Sequence, residues 1–348
     1  GPGNSQDSVT AMAADGSGNV IVTGYSVGAG GYRDFATIKY SAAGVALWTN
    51  RYRGPLNGSD QASAVAVDAI GNVFVTGASS GSGGTDYATI AYSSDGTPLW
   101  TNRYDDPVAS DDRPLAVAAD GNGRIFVTGE SVAPYAYKDY VTIAYSVAGD
   151  ALWTNRYNGL GNGNDSASSL AVDKDGNVIV TGYSADDYTG SRGDYVTIKY
   201  SGSGTAMWTN HYHGPGGAYG NDAPTAVAVD EIGNIFVTGS SVNASGRWDC
   251  TTVAFKSDGT TWWTNRYNGE TNGDASAYSV AVDAEGNIFV AGSSGGDIAT
   301  IKYSNAGMAL WTNRYNGPVK GNELLTGRLC LAIGLDGAEG IGGIPAPD

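Results

Sequence analysis

His211 and His213 are the only histidines in the chain. On a strand their i, i+2 spacing would put both imidazoles on one face, which is how a metal site can begin. Two ligands fall short of the three or four that zinc takes, so drift on a surface strand accounts for the pair better. The turn 173–177, Asp-Lys-Asp-Gly-Asn, invites a calcium reading. An EF-hand loop has its Gly at position six and a Glu at position twelve. Counted from Asp173, the Gly comes too early, at Gly176, and the twelfth residue is Ser184. Calcium is therefore not supported by ligand spacing, and neither a cofactor nor a metal is implied. No nucleophile elbow, Walker loop, His-Glu-x-x-His run or zinc-spaced cysteine pair occurs. A glycosidase or lyase would have to draw two carboxylates, or a Tyr with an Arg, from separate loops.

One group of residues does suit ligand chemistry. Tyr25, Tyr32 and Arg33, then Tyr135, Tyr137 and Lys138, then Asp186, Asp187, Tyr188 and Arg192, then Tyr219, then Arg247 and Trp248 mix rings with charge. Rings pack on apolar C–H faces while polar groups fix orientation, which suits sugars or extended polymers. Tyr32, Arg33, Tyr135, Tyr137, Tyr188, Arg192, Tyr219, Arg247 and Trp248 are the candidate ligand-binding residues. No residue is assigned a catalytic role.

The elements that must position them recur. Asp-x-x-Gly-Asn-Val-Phe-Val-Thr-Gly appears with small changes at 15–24, 68–77, 120–129, 173–182, 230–239 and 283–292. Each copy continues into Asp-Tyr-Ala-Thr-Ile-x-Tyr-Ser and Leu-Trp-Thr-Asn-Arg-Tyr. A period of about 53 residues marks stacked or radial units. In the second copy, 63–67, 73–76, 87–92 and 99–104 read as strands. Asp68–Asn72 and Ser94–Gly96 read as tight turns and 78–85 as a loop. Four short antiparallel strands per unit make a propeller blade. The Ala/Val strand belongs at the crowded inner end and the Trp strand outermost. Trp48, Trp100, Trp153, Trp208, Trp263 and Trp311 read as blade-to-blade packing and not as a ligand cage. Arg51, Arg103, Arg156, Arg266 and Arg314, on the opposite strand face, are expected to pair with nearby Asp side chains. Asp34, Asp86, Asp139, Asp194, Asp249 and Asp297 open the third strand in each copy. Six carboxylates in a ring could hold cations, but their presence in every copy favours structure.

This repeat resembles the bacterial seven-bladed β-propeller repeat family and, more distantly, NHL-type repeats. The likeness covers 1–316 well and the remainder poorly. It implies fold and little about function, since the family pattern carries no catalytic motif. Its members include secreted and cell-surface bacterial proteins.

The expected class is all-β. One propeller domain spans 1–348, with repeats at about 1–53, 54–105, 106–158, 159–213, 214–268 and 269–316 and a partial, degenerate seventh at 317–348. Seven blades are favoured and six are possible. The seventh repeat reaches Leu331–Asp336, after which 337–341 fits a second strand poorly.

The sequence begins Gly-Pro-Gly-Asn, in register with Gly54-Pro55-Leu56-Asn57, which suggests a piece of a longer, exported chain. No run of 18 apolar residues appears. Cys250 and Cys330 are not repeated from copy to copy, and their pairing is open. The net charge of −16 disfavours nucleic acid and anionic membrane surfaces.

Function is expected where the copies differ. From turn Asp to strand-ending Gly, and from third-strand Tyr to Trp, spacing never changes. The connection between second and third strands and the blade-to-blade link both vary, and in an up-down blade these emerge on one face. The expectation is a non-catalytic extracellular or cell-surface scaffold that binds a polysaccharide or protein there. The alternative is a structural subunit of an extracellular layer or fibre, self-associating through its incomplete last blade. A polysaccharide lyase or glycosidase is a weaker alternative.

Overall fold

The computed structural model describes residues 6–106, 110–132, 137–185, 192–217, 220–269, 273–317, 330–333 and 339–342. The candidates Tyr135, Tyr188 and Tyr219, together with Asp186, Asp187, Asp336 and the segment 1–4, lie outside the described residues. Twenty-four strands form six four-stranded antiparallel sheets, each in chain order, as β-propeller blades. They are blade 1 (7–52), blade 2 (60–104), blade 3 (112–157), blade 4 (165–212), blade 5 (222–267) and blade 6 (275–315). A further two-stranded hairpin pairs Cys330–Ile333 with Glu339–Gly342. Its first strand lies beside the inner strand of blade 6, Ala275–Val282. These are two strands of the degenerate seventh repeat. The chain divides into two compact units, Gly1–Asn158 with Asp165–Ala167, and Gly159–Asn164 with Ser168–Asp348.

Blade 2 shows how the repeat folds. Its strands are Asp60–Val67, Val73–Ser80, Thr85–Tyr92 and Pro98–Tyr104. In the first turn, Asp68 Oδ1 accepts the backbone N–H groups of Ile70 and Asn72, and Oδ2 accepts the Asn72 side-chain amide. Gly71 takes φ +89°, where a side chain would be strained. The turn-forming role of the Asp-x-x-Gly-Asn motif follows from these bonds. The central two strands are buried on both faces, with Phe74, Val75, Tyr87 and Ile90 sealed and Thr76 and Thr89 joined through their hydroxyls at 3.0 Å. The outer strand keeps one face toward solvent.

One expectation needs correcting. The second strand does not end at Gly77 but runs on to Ser80, leaving only 81–84 as a loop. A Cβ on Gly77 would lie 2.5 Å from the Ala62 Cα and 2.7 Å from the Phe35 ring. Glycine is there because backbone and a neighbouring blade's ring approach it, beside a bulge between Ala62 and Ala64.

Adjacent blades within each unit are held by a repeated clasp. Trp48 Nε1 donates to the Ser94 carbonyl at 3.1 Å, and Asn50 Nδ2 to the Gly96 carbonyl at 2.7 Å. Trp100 and Asn102 grip Val147 and Gly149 at 2.9 and 2.6 Å. Trp208 and Asn210 grip Ser257 and Gly259 at 3.2 and 2.6 Å. Trp263 and Asn265 grip Asn305 and Gly307 at 2.9 and 2.6 Å. The indole also lies against an aromatic of the next blade, as in Trp48–Tyr92 and Trp263–Tyr303. A Cβ on Gly96, Gly149, Gly259 or Gly307 would come within 2.6–2.8 Å of that indole. The tryptophans are thus the blade-to-blade packing their position implies.

Candidate ligand-binding face

The connections sort into two kinds. The first turns span 15–19, 68–72, 120–124, 173–177, 230–234 and 283–287, five residues each. The turns between third and outer strands, at 41–45, 93–97, 146–150, 201–205, 256–260 and 304–308, are also five residues each. The connections between second and third strands span 28–32, 81–84, 133–137, 186–192, 243–247 and 295–296, from two to seven residues. The blade links are seven residues long except 213–221, which has nine. Blade 4 therefore carries both the longest second connection and the longest link.

Beneath the variable loops lies a layer of fixed ion pairs. Arg51 Nη2 meets Asp34 at 2.8 Å and Arg103 meets Asp86 at 2.5 Å. Arg156 meets Asp139 at 2.6 Å, Arg266 meets Asp249 at 3.0 Å and Arg314 meets Asp297 at 2.6 Å. Most of these guanidinium groups also reach a serine of the second strand, as Arg266 reaches Ser241 Oγ at 2.6 Å. Five of the six third-strand carboxylates are paired with an arginine where they stand, so in blades 1, 2, 3, 5 and 6 the cation-binding ring gives way to an ion pair. Arg103 and Arg266 further donate to Tyr52 and Tyr212 of the preceding blade. This Tyr–Arg pair joins one blade to the next at two places in the chain.

Blade 4 breaks this layer. His211 stands where the other blades have Arg, opposite Val196, and Asp194 meets His213 Nδ1 at 2.5 Å. His213 lies one residue beyond the outer strand Ala206–Tyr212, so only His211 is on the strand. Gly193 packs directly under the Tyr183 ring and bridges to Asn221 of the long link. Arg192, beside it, is exposed.

The remaining candidates have local partners. Arg33 lies over the buried Tyr25 ring at 4.3 Å and donates to Gln61 of the next blade at 3.2 Å. Tyr32 is exposed next to it. Tyr137 is half-buried, beside the Lys138–Glu130 pair at 2.7 Å. In blade 5, Asn243 Oδ1 accepts the N–H groups of Ser245 and Arg247, folding the loop on itself and leaving Arg247 exposed. The Trp248 backbone N–H donates to the Asp274 carboxylate of the following link at 3.1 Å. Among the described residues no contact joins one of these candidates to a candidate in another blade. Sequence reasoning grouped Tyr25 with Arg33 as a loop residue, where it is a buried ring of the second strand, and missed Tyr183 over Gly193. The signal was present, since both rings sit on second strands next to a divergent loop.

Two carboxylates in blade 3 stand apart electrostatically. Burial raises the Asp112 carboxyl above its usual range despite hydrogen bonds from Ser131 and the Asp106 N–H. Burial raises Asp139 too, against the pull of Arg156. Among the described residues, no three His, Cys, Asp or Glu side chains come together to hold a metal ion. Nor does any helix there have the length and apolarity to cross a membrane.

The family described as Beta-propeller repeat matches residues 264–299, from the outer strand of blade 5 into the third strand of blade 6. The inner and second strands inside that stretch are the motif present in all six blades. The matched stretch is similar to that repeat, and the fold of the described residues is that of β-propeller blades. Among solved structures, a protein from Lactobacillus plantarum aligns at 10% identity with a TM-score of 0.53, over 85% of this chain and 81% of its own. A protein of unknown function from Bacteroides caccae aligns at 12% identity and TM-score 0.45, over 86% of this chain and 94% of its own. A luciferin-regenerating enzyme aligns at 12% identity and TM-score 0.44, over 82% and 83%. The likeness to the Lactobacillus plantarum protein is one of fold alone. No curated protein sequence matches the chain.

Proposed function

We propose that this propeller is a non-catalytic recognition scaffold, extracellular or surface-displayed, that holds a polysaccharide or protein on its variable-loop face. The observation that carries the reading is the one-sidedness of change. Twelve turns keep five residues each, while the second connections run from two to seven. A rigid scaffold with one diversified set of loops is how repeat folds bind. The divergence peaks in blade 4, where the ion-pair layer is also broken. The exposed Arg192 and Arg247, the exposed Tyr32 and the half-buried Trp248 supply charge and rings at its loops. The locked carboxylates and recurring Tyr–Arg joints weigh against a glycosidase or lyase.

The test is binding of the purified chain to a broad array of glycans and bacterial polysaccharides, with and without calcium. A hit should weaken at least about tenfold, or about 1.4 kcal/mol, in Arg247→Ala/Trp248→Ala or Arg192→Ala. It should be unchanged by Ile70→Ser or Ile232→Ser, on the uniform turns, where the side chains are 76% and 74% exposed. A hit that the uniform-turn variants abolish and the loop variants leave intact would overturn the assignment of the face.

A further inference from the structure

Two of the variable connections are built to one plan. In blade 1 the turn 28–32 is closed by the Gly28 N–H to the Tyr32 carbonyl at 2.9 Å and the Gly31 N–H to the Gly28 carbonyl at 3.0 Å, with Gly31 at φ +80°. In blade 5 the turn 243–247 is closed by the Asn243 N–H to the Arg247 carbonyl at 2.8 Å and the Gly246 N–H to the Asn243 carbonyl at 2.9 Å, with Gly246 at φ +74°. Each turn leads into an arginine beside an aromatic ring, Tyr32-Arg33 in one and Arg247-Trp248 in the other. The register makes them equivalent, since Val27–Arg33 and Val242–Trp248 are the final pairs of the same ladder. A Cβ on Gly31 or Gly246 would meet nothing within 4 Å, so both turn tips face open space.

These arginines also stand apart in charge. The chain has 35 acidic residues to 19 basic ones, and the arginines of the ion-pair layer, with Arg113 and Arg124 besides, each have an Asp partner. Among the described residues no carboxylate lies within ion-pair distance of Arg33, Arg53 or Arg247, and all three are exposed. A Cβ on Gly30 would lie 4.0 Å from Arg53 Nη2 and 3.7 Å from Tyr32 Cδ2, so a second guanidinium and a ring meet at the blade 1 turn. Arg33 is held in place without being neutralised. Its guanidinium lies over the Tyr25 ring at 4.3 Å, and its Nη1 donates to Gln61 Oε1 at 3.2 Å. Both partners are uncharged, so the positive charge is kept and little ordering is left for a ligand to impose.

On the recognition scaffold proposed above, on which this rests, we infer that the ligand is an acidic polysaccharide whose uronate carboxylates are taken by these arginines. A guanidinium bonds a carboxylate through two parallel N–H donors. The exposed Tyr32 and the half-buried Trp248 offer ring surface to the sugar that carries it. Nucleic acid fits worse. Its charges recur about every 1.7 Å of duplex and would meet a chain of net charge −16, whereas a uronate polymer carries at most one charge per sugar. The two turns belong to different compact units and act as two separate sites.

The experiment is binding of the full chain to immobilised polygalacturonate, alginate and hyaluronan, each beside its methyl ester. Dextran and duplex DNA serve as neutral and densely charged controls, and EDTA keeps calcium from cross-linking the polymers. At least one uronate polymer is expected to bind, and its ester at least about tenfold more weakly. Arg33→Gln/Arg53→Gln and Arg247→Gln should each weaken that binding, and the triple variant should abolish it. Arg53→Gln alone, at an exposed position with no partner, should weaken it with the melting temperature unchanged. Equal binding of acid and ester, tighter binding of duplex DNA, or uronate binding that survives in the triple variant overturns the inference. A chain that binds only neutral polymers, and loses them in Arg192→Ala or Arg247→Ala/Trp248→Ala, overturns it and leaves the recognition scaffold in place. Binding of no polymer overturns it too, and the scaffold then stands on a protein ligand alone.

Discussion

Replacing Asp173 by Asn is the sharpest available test of how the repeat is stabilised, because the chain carries its own control. Asp173 and Asp68 sit at the same place in blades 4 and 2 and make the same bonds to their turns. They differ in what lies beneath. Asp173 faces Lys199 at 3.0 Å, with only 4% and 2% of the Lys and Asp side chains exposed. Blade 2 has Ala91 at the Lys position, opposite Phe74. In Asp68→Asn the turn loses a charged acceptor, which costs about 1 kcal/mol. In Asp173→Asn the Lys199 ammonium is also left without its counter-charge, held by the Ser257 carbonyl at 3.2 Å. Breaking a buried pair from one side costs about 3–5 kcal/mol. Urea unfolding at pH 7, followed by Trp fluorescence and far-UV circular dichroism together, measures both and checks that one transition is observed. The expected gap between the two variants is about 2–4 kcal/mol, and Lys199→Met in the Asp173→Asn background should close most of it. Equal losses at the two sites, or no recovery in the double variant, would refute the argument.

Acid should act through the same pair. Burial alone would raise the Asp173 carboxyl, but bonds from the Asn177 side chain and backbone and from Lys199 outweigh it and hold it below its ordinary value. Its stabilisation is present above an unfolded value near about 3.9 and fades as pH falls below that, so the Asp173→Asn deficit measured at pH 7 should shrink below about pH 4. Asp112 has the opposite sign. Its raised carboxyl favours the fold at low pH and loses that contribution as pH climbs through the folded value. Asp112→Asn should therefore flatten the decline in melting temperature between pH 4 and 7. Burial pushes the Cys250 thiol up to about 12, so in a Cys330→Ser background a disulfide-exchange reagent at pH 8 should label Cys250 only after unfolding. Gly96→Ala should destabilise more than Gly44→Ala. The two share a positive φ, but a Cβ on Gly96 would lie 2.6 Å from the Trp48 indole, and one on Gly44 meets nothing within 4 Å.

Much of the fold could be read from the sequence, and the exceptions have physical reasons. The Asp-x-x-Gly-Asn turns are legible because their bonds run within five residues, so the residue types alone define them. The Arg–Asp pairs are legible because Arg51 and Asp34 lie on neighbouring strands of one blade. The second strand's passage through Gly77 was not, since glycine there answers to the Phe35 ring of another blade. The Trp clasp was half legible. A large ring at a fixed position implies packing, but which carbonyl its N–H finds depends on how blades follow one another. Lys39 and Lys199 were missed altogether. With Lys302 they share one third-strand position with Ala91, Ala144 and Ala254, and a charge in an otherwise apolar run was the signal. The loop candidates are hardest, because Arg33 and Trp248 are placed by side chains from the next blade or link, Gln61 and Asp274.

The clasp has a consequence for how such a chain can change over generations. Its grip falls on backbone carbonyls and on a glycine, and the residues around them vary freely, as Ser94, Val147, Ser257 and Asn305 show. A blade therefore does not need to be matched to its neighbour. Any coding segment of one period, cut anywhere and pasted in frame, delivers a gripping strand and a grippable turn at compatible ends. Duplication, deletion or shuffling of whole blades therefore keeps this grip from one blade to the next, whatever residues surround it.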